Sequence, residues 1–298
     1  TLSLRTEWVS RTLSGVDRSA AGAVFDRTQL GEQLQLALGA EWRSGSTHLA
    51  TRLSYALFRE QYLLDQRGGA TLDDDQDNRE NLGELHVQLD QALGDHRITL
   101  GLDELYQDLD SSRLLTFGHR FRASPFLQDE WQVVDDDVGL VLVPGARVDL
   151  DSQFGVQISP RLAVRFDPFP QLVLRASYGW GFRAPSFQEL LLRFENPSVG
   201  YVVEGNPRLA AESALSLEVG LEWTPLAALR LAANFFRNDV DGMIVVVTVE
   251  DSPTGTLFSY ANLTSAYTQG LEASVRARPL PELLLSASYT FTDTWDQE

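Results

Sequence analysis

Four acidic residues in one short segment have a spacing that suits a metal cation. Asp73, Asp75 and Asp77 alternate with other residues, and Glu84 follows further along. In a calcium-binding loop, carboxylates at positions 1, 3 and 5 and a glutamate at position 12 wrap one ion. Asn78 stands where such loops carry a turn glycine. A solvated acidic loop tip is therefore the favoured interpretation, and calcium binding is the alternative.

A second cluster of candidate residues is basic. His119, Arg120 and Arg122 fall within a segment predicted to be a loop. Such a cluster can bind an anionic ligand, or it can neutralise the nearby Asp108 and Asp110. The second interpretation is favoured, because exposed ion pairs are common and each contributes little to stability.

The composition excludes several classes of protein. The 298 residues carry 42 acidic and 24 basic side chains, which gives a formal net charge of −18, and every basic residue is arginine. This acidic excess argues against a nucleic-acid-binding protein, which needs basic surface. The chain has no cysteine and only four histidines, so thiol, disulfide and zinc chemistry lack candidates. Because no nucleophile–base set or phosphate-binding loop is found either, we predict neither an enzyme nor a bound cofactor.

The dominant pattern along the chain has a period of two residues. Between 215 and 223, leucine, valine and tryptophan alternate with serine, glycine and glutamate. Such alternation predicts β-strands with one apolar and one polar face, and several runs reach the roughly 9–11 residues that cross a bilayer when tilted. Thirteen strands are predicted at 2–10, 33–43, 49–60, 82–93, 97–107, 125–134, 138–148, 159–166, 172–182, 214–223, 229–236, 260–277 and 283–292.

The predicted connections alternate in length without exception. Aromatic residues such as Trp180 and Trp223 also mark both ends of the apolar faces. Long loops at one end, short turns at the other and two aromatic girdles are typical of an antiparallel transmembrane β-barrel in the outer membrane of a Gram-negative bacterium. A large soluble β-protein is the alternative. The long connections are predicted at 11–32, 61–81, 108–124, 149–158, 183–213 and 237–259.

The odd number of strands predicts an incomplete barrel. With thirteen strands, the first and the last run in the same direction and cannot close an antiparallel sheet. Bacterial single-chain barrels have even strand numbers. We therefore expect residues 1–298 to form one part of a larger barrel domain.

Five ordered segments carry a family resemblance. The first contains Gly181 to Ser186 (GFRAPS), Glu189-Leu190, Gly205-Asn206-Pro207, Leu209, Glu212 and Glu218. The others are 126–131 (FLQDEW), 143–147 with 159–161 (VPGAR and SPR), 235–244 (FFRNDVDGMI) and Asn262 with 270–272 (GLE). Together they resemble the barrel of TonB-dependent outer-membrane receptors, although Ala211 stands where that family usually has proline.

The resemblance implies a fold and a function. It implies a 22-stranded barrel with a plugged lumen, so we expect the plug, the TonB box and the final strands to lie outside these residues. It also implies TonB-dependent import of a scarce, large ligand, most often a ferric siderophore, with cobalamin or a glycan as alternatives. A passive porin-like barrel and an outer-membrane enzyme are the alternatives from other classes.

The resemblance also gives the extracellular loops a role in ligand capture. Arg120 and Arg122 become candidates for an anionic ligand or for a phosphate group of lipopolysaccharide, which surrounds such a barrel together with outer-membrane lipid. Within 181–190 packing of the loop is the favoured interpretation, and within 193–204 ligand contact is favoured. The candidates in the longest loop are the cations Arg183 and Arg193 and the flat rings of Phe187, Phe194 and Tyr201.

Overall fold

The computed structural model consists almost entirely of strands. It describes residues 1–18, 22–69, 72–196, 200–252, 255–262 and 265–297. Within these residues, no helix is long and apolar enough to cross a membrane. The elements are β1 (Leu2–Arg18), β2 (Val24–Ser44), β3 (Thr47–Gln66), β4 (Asp74–Leu93), β5 (His96–Ser111), β6 (Gly118–Asp135), β7 (Gly139–Asp151), β8 (Gly155–Phe169), β9 (Leu172–Arg183), α1 (Phe187–Leu191), β10 (Arg193–Asn196), β11 (Tyr201–Glu204), β12 (Glu212–Leu226), β13 (Leu229–Asp241), β14 (Ile244–Ser252), β15 (Gly255–Asn262), β16 (Ser265–Leu280) and β17 (Leu283–Gln297).

Thirteen of these strands form one antiparallel sheet. Their order is β1 to β9, then β12, β13, β16 and β17, so each strand lies beside its neighbour in the chain. Within the described residues, β1 and β17 are the two edges of this sheet. The prediction of an all-β, antiparallel fold with thirteen sheet strands is confirmed.

The remaining four strands form a small separate sheet, in the order β10-β11-β15-β14. They lie in the two connections predicted at 183–213 and 237–259. One strand prediction was wrong here: 260–277 is not a single strand, because 260–262 belongs to β15 and β16 begins at Ser265.

Several predicted long loops are much shorter in the structure. β1 and β2 pair from Leu2 with Ala40 up to Arg18 with Val24, so most of 11–32 is strand. The connection predicted at 149–158 is a tight turn between β7 and β8. Strands that project beyond a bilayer meet water on both faces and lose the alternation from which they could be recognised. The short turns are confirmed, as at Gly94, where a φ of 59° suits glycine in a two-residue hairpin.

The two faces of the main sheet differ sharply in polarity. On β12, Leu217, Val219, Leu221 and Trp223 are between 37% and 47% exposed on one face. On the other face Glu222 accepts a hydrogen bond of 2.5 Å from Arg175 of β9 and another from Arg230 of β13. A continuous exposed apolar face requires an apolar partner, which a lipid bilayer supplies. The apolar face is therefore the lipid face, and the polar face lines the lumen.

Candidate functional site

Buried apolar side chains are concentrated in the connections rather than in the sheet. Phe187, Leu190 and Leu209 are 5%, 8% and 6% exposed, and Pro185 is fully buried. Around them the connections assemble into one body, which we call the loop layer. It comprises α1, the small sheet and the described residues of 112–117, 184–211 and 242–262.

The helix α1 is held by a capping box. The Glu189 N–H donates to Ser186 Oγ at 3.2 Å, and the Ser186 N–H donates to Glu189 Oε2 at 2.7 Å. This reciprocal pair satisfies N–H groups that the first turn leaves unpaired. The helix then buries Phe187 over Gly118, where an added Cβ would lie 2.8 Å from the ring. A side chain at Gly118 would therefore displace α1 from β6.

Arg183, the last residue of β9, joins α1 to the sheet. Its Nη1 and Nη2 donate to the Glu189 carboxylate at 3.1 Å each. Its Nε and Nη2 donate to the Glu212 carboxylate on β12 at 2.7 and 2.6 Å. Glu212 Oε1 also accepts the Ile244 N–H at the start of β14, at 2.6 Å. One guanidinium and one carboxylate thus connect α1, two barrel strands and the small sheet.

These ion pairs lower the pKa of both glutamates, which lie beyond the membrane-spanning part of the strands. The Arg183 hydrogen bonds lower the pKa of Glu212, against a smaller opposing effect of burial. Burial by itself would raise the pKa of Glu189, but hydrogen bonds from Arg183 and Ser186 together outweigh it and leave the pKa below its usual value. Both groups are therefore charged at neutral pH.

Two asparagines connect the two long loops. Asn206 Nδ2 donates to the Tyr260 carbonyl at 2.8 Å. Asn262 Oδ1 accepts the Ala210 N–H at 3.0 Å, and its Nδ2 donates to the carbonyls of Ala210 and Gly242 at 3.1 and 2.6 Å. Both asparagines belong to the segments that carry the family resemblance. In the structure these residues join the loops to each other.

A third connection, 112–117, is joined to the rest of the loop layer through its backbone. The Leu115 N–H donates to the Leu191 carbonyl at 2.8 Å, and the Arg193 N–H donates to the Arg113 carbonyl at 2.7 Å. The small sheet adds a parallel pairing of β11 with β15, in which Tyr201 lies opposite Thr256. The loops from three different strand pairs are thereby interlocked.

Three aromatic rings and an arginine form a surface on this layer, which we call the aromatic cluster. The Tyr201 ring lies 6.0 Å from that of Phe194 and 6.1 Å from that of Phe258, centroid to centroid. The Arg113 guanidinium lies 5.0 Å from the Phe194 centroid. All three rings are partly exposed. Flat rings beside a cation can bind a large, anionic, partly aromatic ligand through stacking and electrostatic attraction.

Comparison with known proteins decides the family. The sequence model of the family described as "TonB dependent receptor-like, beta-barrel" matches residues 4–298. The chain belongs to this family. Its barrel is therefore an outer-membrane barrel, as the alternation, loop lengths and girdles predicted.

Individual relatives of this receptor barrel are longer proteins. It is 26% identical over 213 residues to the iron-regulated outer membrane virulence protein of Vibrio cholerae serotype O1, covering 67% of this chain and 32% of the relative. It is 27% identical over 179 residues to the ferric enterobactin receptor PirA of Pseudomonas aeruginosa, covering 53% and 24%. A crystal structure of the ferric enterobactin receptor PfeA from the same species shares the fold, with a TM-score of 0.72 and 18% identity, over 98% of this chain and 51% of that one. The chain thus spans about a third or less of the relatives it matches in sequence.

The structure separates the five loop candidates into two groups. Phe194 and Tyr201 lie together on one face of the small sheet. Arg193 lies on the other face, where its guanidinium pairs with Glu195 at 3.0 Å and with Glu204 at 3.2 Å. Phe187, the first residue of α1, is buried against Gly118 of β6, so its ring is not available to a ligand in this structure. Arg183 has all three guanidinium nitrogens bonded to carboxylates. For 181–190 the structure agrees with the packing interpretation.

The basic candidates Arg120 and Arg122 lie on strand β6, not in a loop. Arg120 is 8% exposed and donates from Nε to Asp151 at 2.7 Å. Arg122 Nε lies 3.8 Å from Asp149. Neutralisation by acidic residues was the favoured interpretation, but the acidic partners are on β7 rather than Asp108 and Asp110. The residues alternate with Phe121 on the lipid face, so both arginines point away from lipopolysaccharide.

The structure does not bring the four calcium candidates together. β4 begins at Asp74, and its register with β3 runs unbroken through Glu84. Asp75 and Asp77 therefore lie on one face of the strand and Glu84 on the other. Asp77 accepts hydrogen bonds from Arg59, and Glu84 accepts one from Ser54. Across the residues that the structure describes, no group of three or more acidic or histidine side chains could hold a metal ion.

Sequence reasoning missed Arg113 and Phe258. Both lie in predicted long connections, but no periodic pattern marks either residue. They join the cluster only because the small sheet pairs β11 with β15 and the 112–117 backbone binds Arg193. Nothing in the sequence indicates which loops pair with each other.

The lowered pKa values predict how the loop layer responds to acid. A carboxylate with a lowered pKa in the folded state stabilises the fold above its unfolded pKa of about 4.5, and this contribution is lost as the pH falls through the folded value. We therefore expect amide hydrogen exchange in α1 of the full-length receptor to rise below about pH 4.5, after correction for intrinsic rates. Glu189→Gln should weaken this response. An exchange rate that stays constant down to pH 3 would contradict the prediction.

Proposed function

We propose that this chain is the ligand-capturing part of a TonB-dependent receptor that imports a ferric siderophore of the aromatic, anionic type. The observation that carries the proposal is the aromatic cluster. Phe194, Tyr201, Phe258 and Arg113 come from three loops and converge on the outward side of a lipid-embedded barrel. A ferric catecholate offers aromatic rings and net negative charge, and this surface complements both.

Two of the relatives support the same ligand class. One is named as an iron-regulated outer-membrane protein and another as a ferric enterobactin receptor. Because the chain spans only part of them, the remaining strands and a lumen plug are part of the proposal. In it, residues 1–298 supply thirteen strands of a barrel of about 22, and the plug contacts TonB in the periplasm.

Ligand selectivity tests the proposal directly. The full-length receptor, purified in detergent, should be titrated with ferric enterobactin, with ferrichrome as a hydroxamate and with cyanocobalamin. We expect ferric enterobactin to bind at least about tenfold more tightly than the other two, a difference of about 1.4 kcal/mol. Tighter binding of cyanocobalamin would assign the receptor to the cobalamin class instead.

Energy coupling needs a separate measurement. Uptake of iron-55 as ferric enterobactin should be compared between otherwise identical cells with and without TonB. Import should require TonB. Equal import in both strains would identify a passive porin-like barrel.

A further inference from the structure

We propose that Arg183 is a positioning residue, which couples the two long loops so that they hold the aromatic cluster as one unit. Its role in uptake rests on the proposed function, but the coupling itself does not. The proposal extends the packing interpretation of 181–190 and replaces the alternative, in which Arg183 binds the ligand as a cation.

The bonding of Arg183 argues against direct ligand contact. The Arg183 side chain is 47% exposed, but Nε, Nη1 and Nη2 all donate to carboxylates. Those carboxylates are largely covered, with side chains 16% and 11% exposed for Glu189 and Glu212. Two carboxylates around one guanidinium give the group a net charge of −1. An anionic ligand would be repelled by this group rather than attracted.

The position of Arg183 explains how it can couple the loops. Through Glu189 it fixes α1, which continues into β10 and the ring of Phe194. Through Glu212 it fixes the Ile244 N–H, where β14 begins and leads to β15 and the ring of Phe258. We call these two segments, α1 with β10 and β14 with β15, the two arms. Both arms start at the rim of the barrel, where Arg183 and Glu212 are paired across β9 and β12.

Further bonds close the connection between the two arms. Ser259 Oγ donates to the Glu204 carbonyl at 2.8 Å, and Asn206 reaches the Tyr260 carbonyl. Neither loop can swing away from the rim without breaking these bonds or carrying the other loop with it. Loss of the hydrogen bonds from Arg183 to the two glutamates should therefore loosen both arms together, although 244–262 has no bond to Arg183 itself.

Hydrogen exchange on the full-length receptor tests this coupling without any ligand. Arg183→Gln and Glu212→Gln should each raise the exchange rate about tenfold or more in α1 and in β14–β15 alike, because each removes charge-assisted hydrogen bonds. Arg165→Gln is the matched control, since Arg165 pairs with Asp167 near the short-turn end of β8. A rise confined to α1, or no rise in either arm, would overturn the proposal.

A pH profile distinguishes positioning from a general loss of packing. The titratable groups that face the two glutamates are Arg183 for both of them, Glu189 for Glu212, and Tyr260 for Glu189. The pKa of Tyr260 is raised by burial and then by Glu189. In the wild type, exchange in both arms should rise with one shared midpoint as the pH falls below about 4.5. In Arg183→Gln this acid-induced rise should be largely lost in both arms, because the glutamates lose the partner that holds their folded pKa below the unfolded value. Separate midpoints for the two arms in the wild type would also overturn the proposal.

Two controls keep the outcomes separable. Heat-modifiable migration on gels shows whether each variant barrel has folded, and Arg183→Lys provides a charge-retaining variant if Arg183→Gln does not fold. Arg183→Lys should give an intermediate rise in exchange, because lysine cannot pair with two carboxylates in the same planar geometry. If the coupling holds but ferric enterobactin does not bind, the proposed ligand is wrong and the positioning role stands.

Discussion

Val219→Arg is expected to destabilise the barrel by about 2–4 kcal/mol, the cost of an arginine near the middle of a lipid-facing strand. Val219 lies between Ala176 on β9 and Phe235 on β13, on the face that also carries Leu217 and Leu221. The change places a guanidinium against acyl chains. Denaturant titration of the full-length receptor folded into lipid vesicles would measure the loss as a lowered free energy of unfolding.

Glu218→Gln, one residue before Val219 on β12, is the matched control. Glu218 accepts a hydrogen bond of 2.8 Å from Asn234 Nδ2, and a glutamine keeps an acceptor of nearly the same shape. We therefore expect the free energy of unfolding to change little. If Glu218→Gln were the more damaging substitution, the assignment of faces on β12 would be off by one residue.

The sequence predicted the membrane-spanning part of the fold well, and the reason is physical. Where a strand has lipid on one side and a polar lumen on the other, its side chains must alternate. On β12 this alternation continues from Leu215 to Trp223 and fixes both the strand and its register. The chain-neighbour order of the sheet then follows, because short turns force consecutive strands to pair.

The extracellular structure was harder to predict, because its stability comes from contacts between distant segments. The parallel pairing of β11 with β15 joins residues about fifty positions apart, and the family motif residues Asn206 and Asn262 bond across a similar gap. The structure shows that Glu189, Asn206, Glu212 and Asn262 brace the loops.

The same limit on prediction from sequence applies to single residues of the candidate site. Arg183 and Phe187 are a cation and a ring in the longest loop, which made them reasonable ligand candidates. Their neighbours decide otherwise, since Arg183 is engaged by two carboxylates and Phe187 is covered by α1 and β6. Phe194 and Tyr201 differ only in that their partners leave the rings partly exposed.

Replacement of 193–204 by a Gly/Ser linker should reduce the affinity of the full-length receptor for ferric enterobactin by about a hundredfold or more. The change removes Arg193, Phe194 and Tyr201 together and breaks the pairing of β11 with β15, so Phe258 also loses its support. Loss of two or three central contacts of about 2 kcal/mol each would exceed this factor.

The finer variant is Tyr201→Ala, which removes the ring that contacts both Phe194 and Phe258. It should weaken binding about thirtyfold, or about 2 kcal/mol. Phe117→Ala is its control, because Phe117 lies in the same layer but stacks on His119 instead.

Each variant should keep heat-modifiable migration, which shows that its barrel is intact. Unchanged affinity in an intact Tyr201→Ala barrel would exclude the aromatic cluster as the capture surface. The next surface to test would then be the outward ends of β2 to β4, whose charged residues Glu32, Arg59 and Asp77 give that surface a very different chemistry.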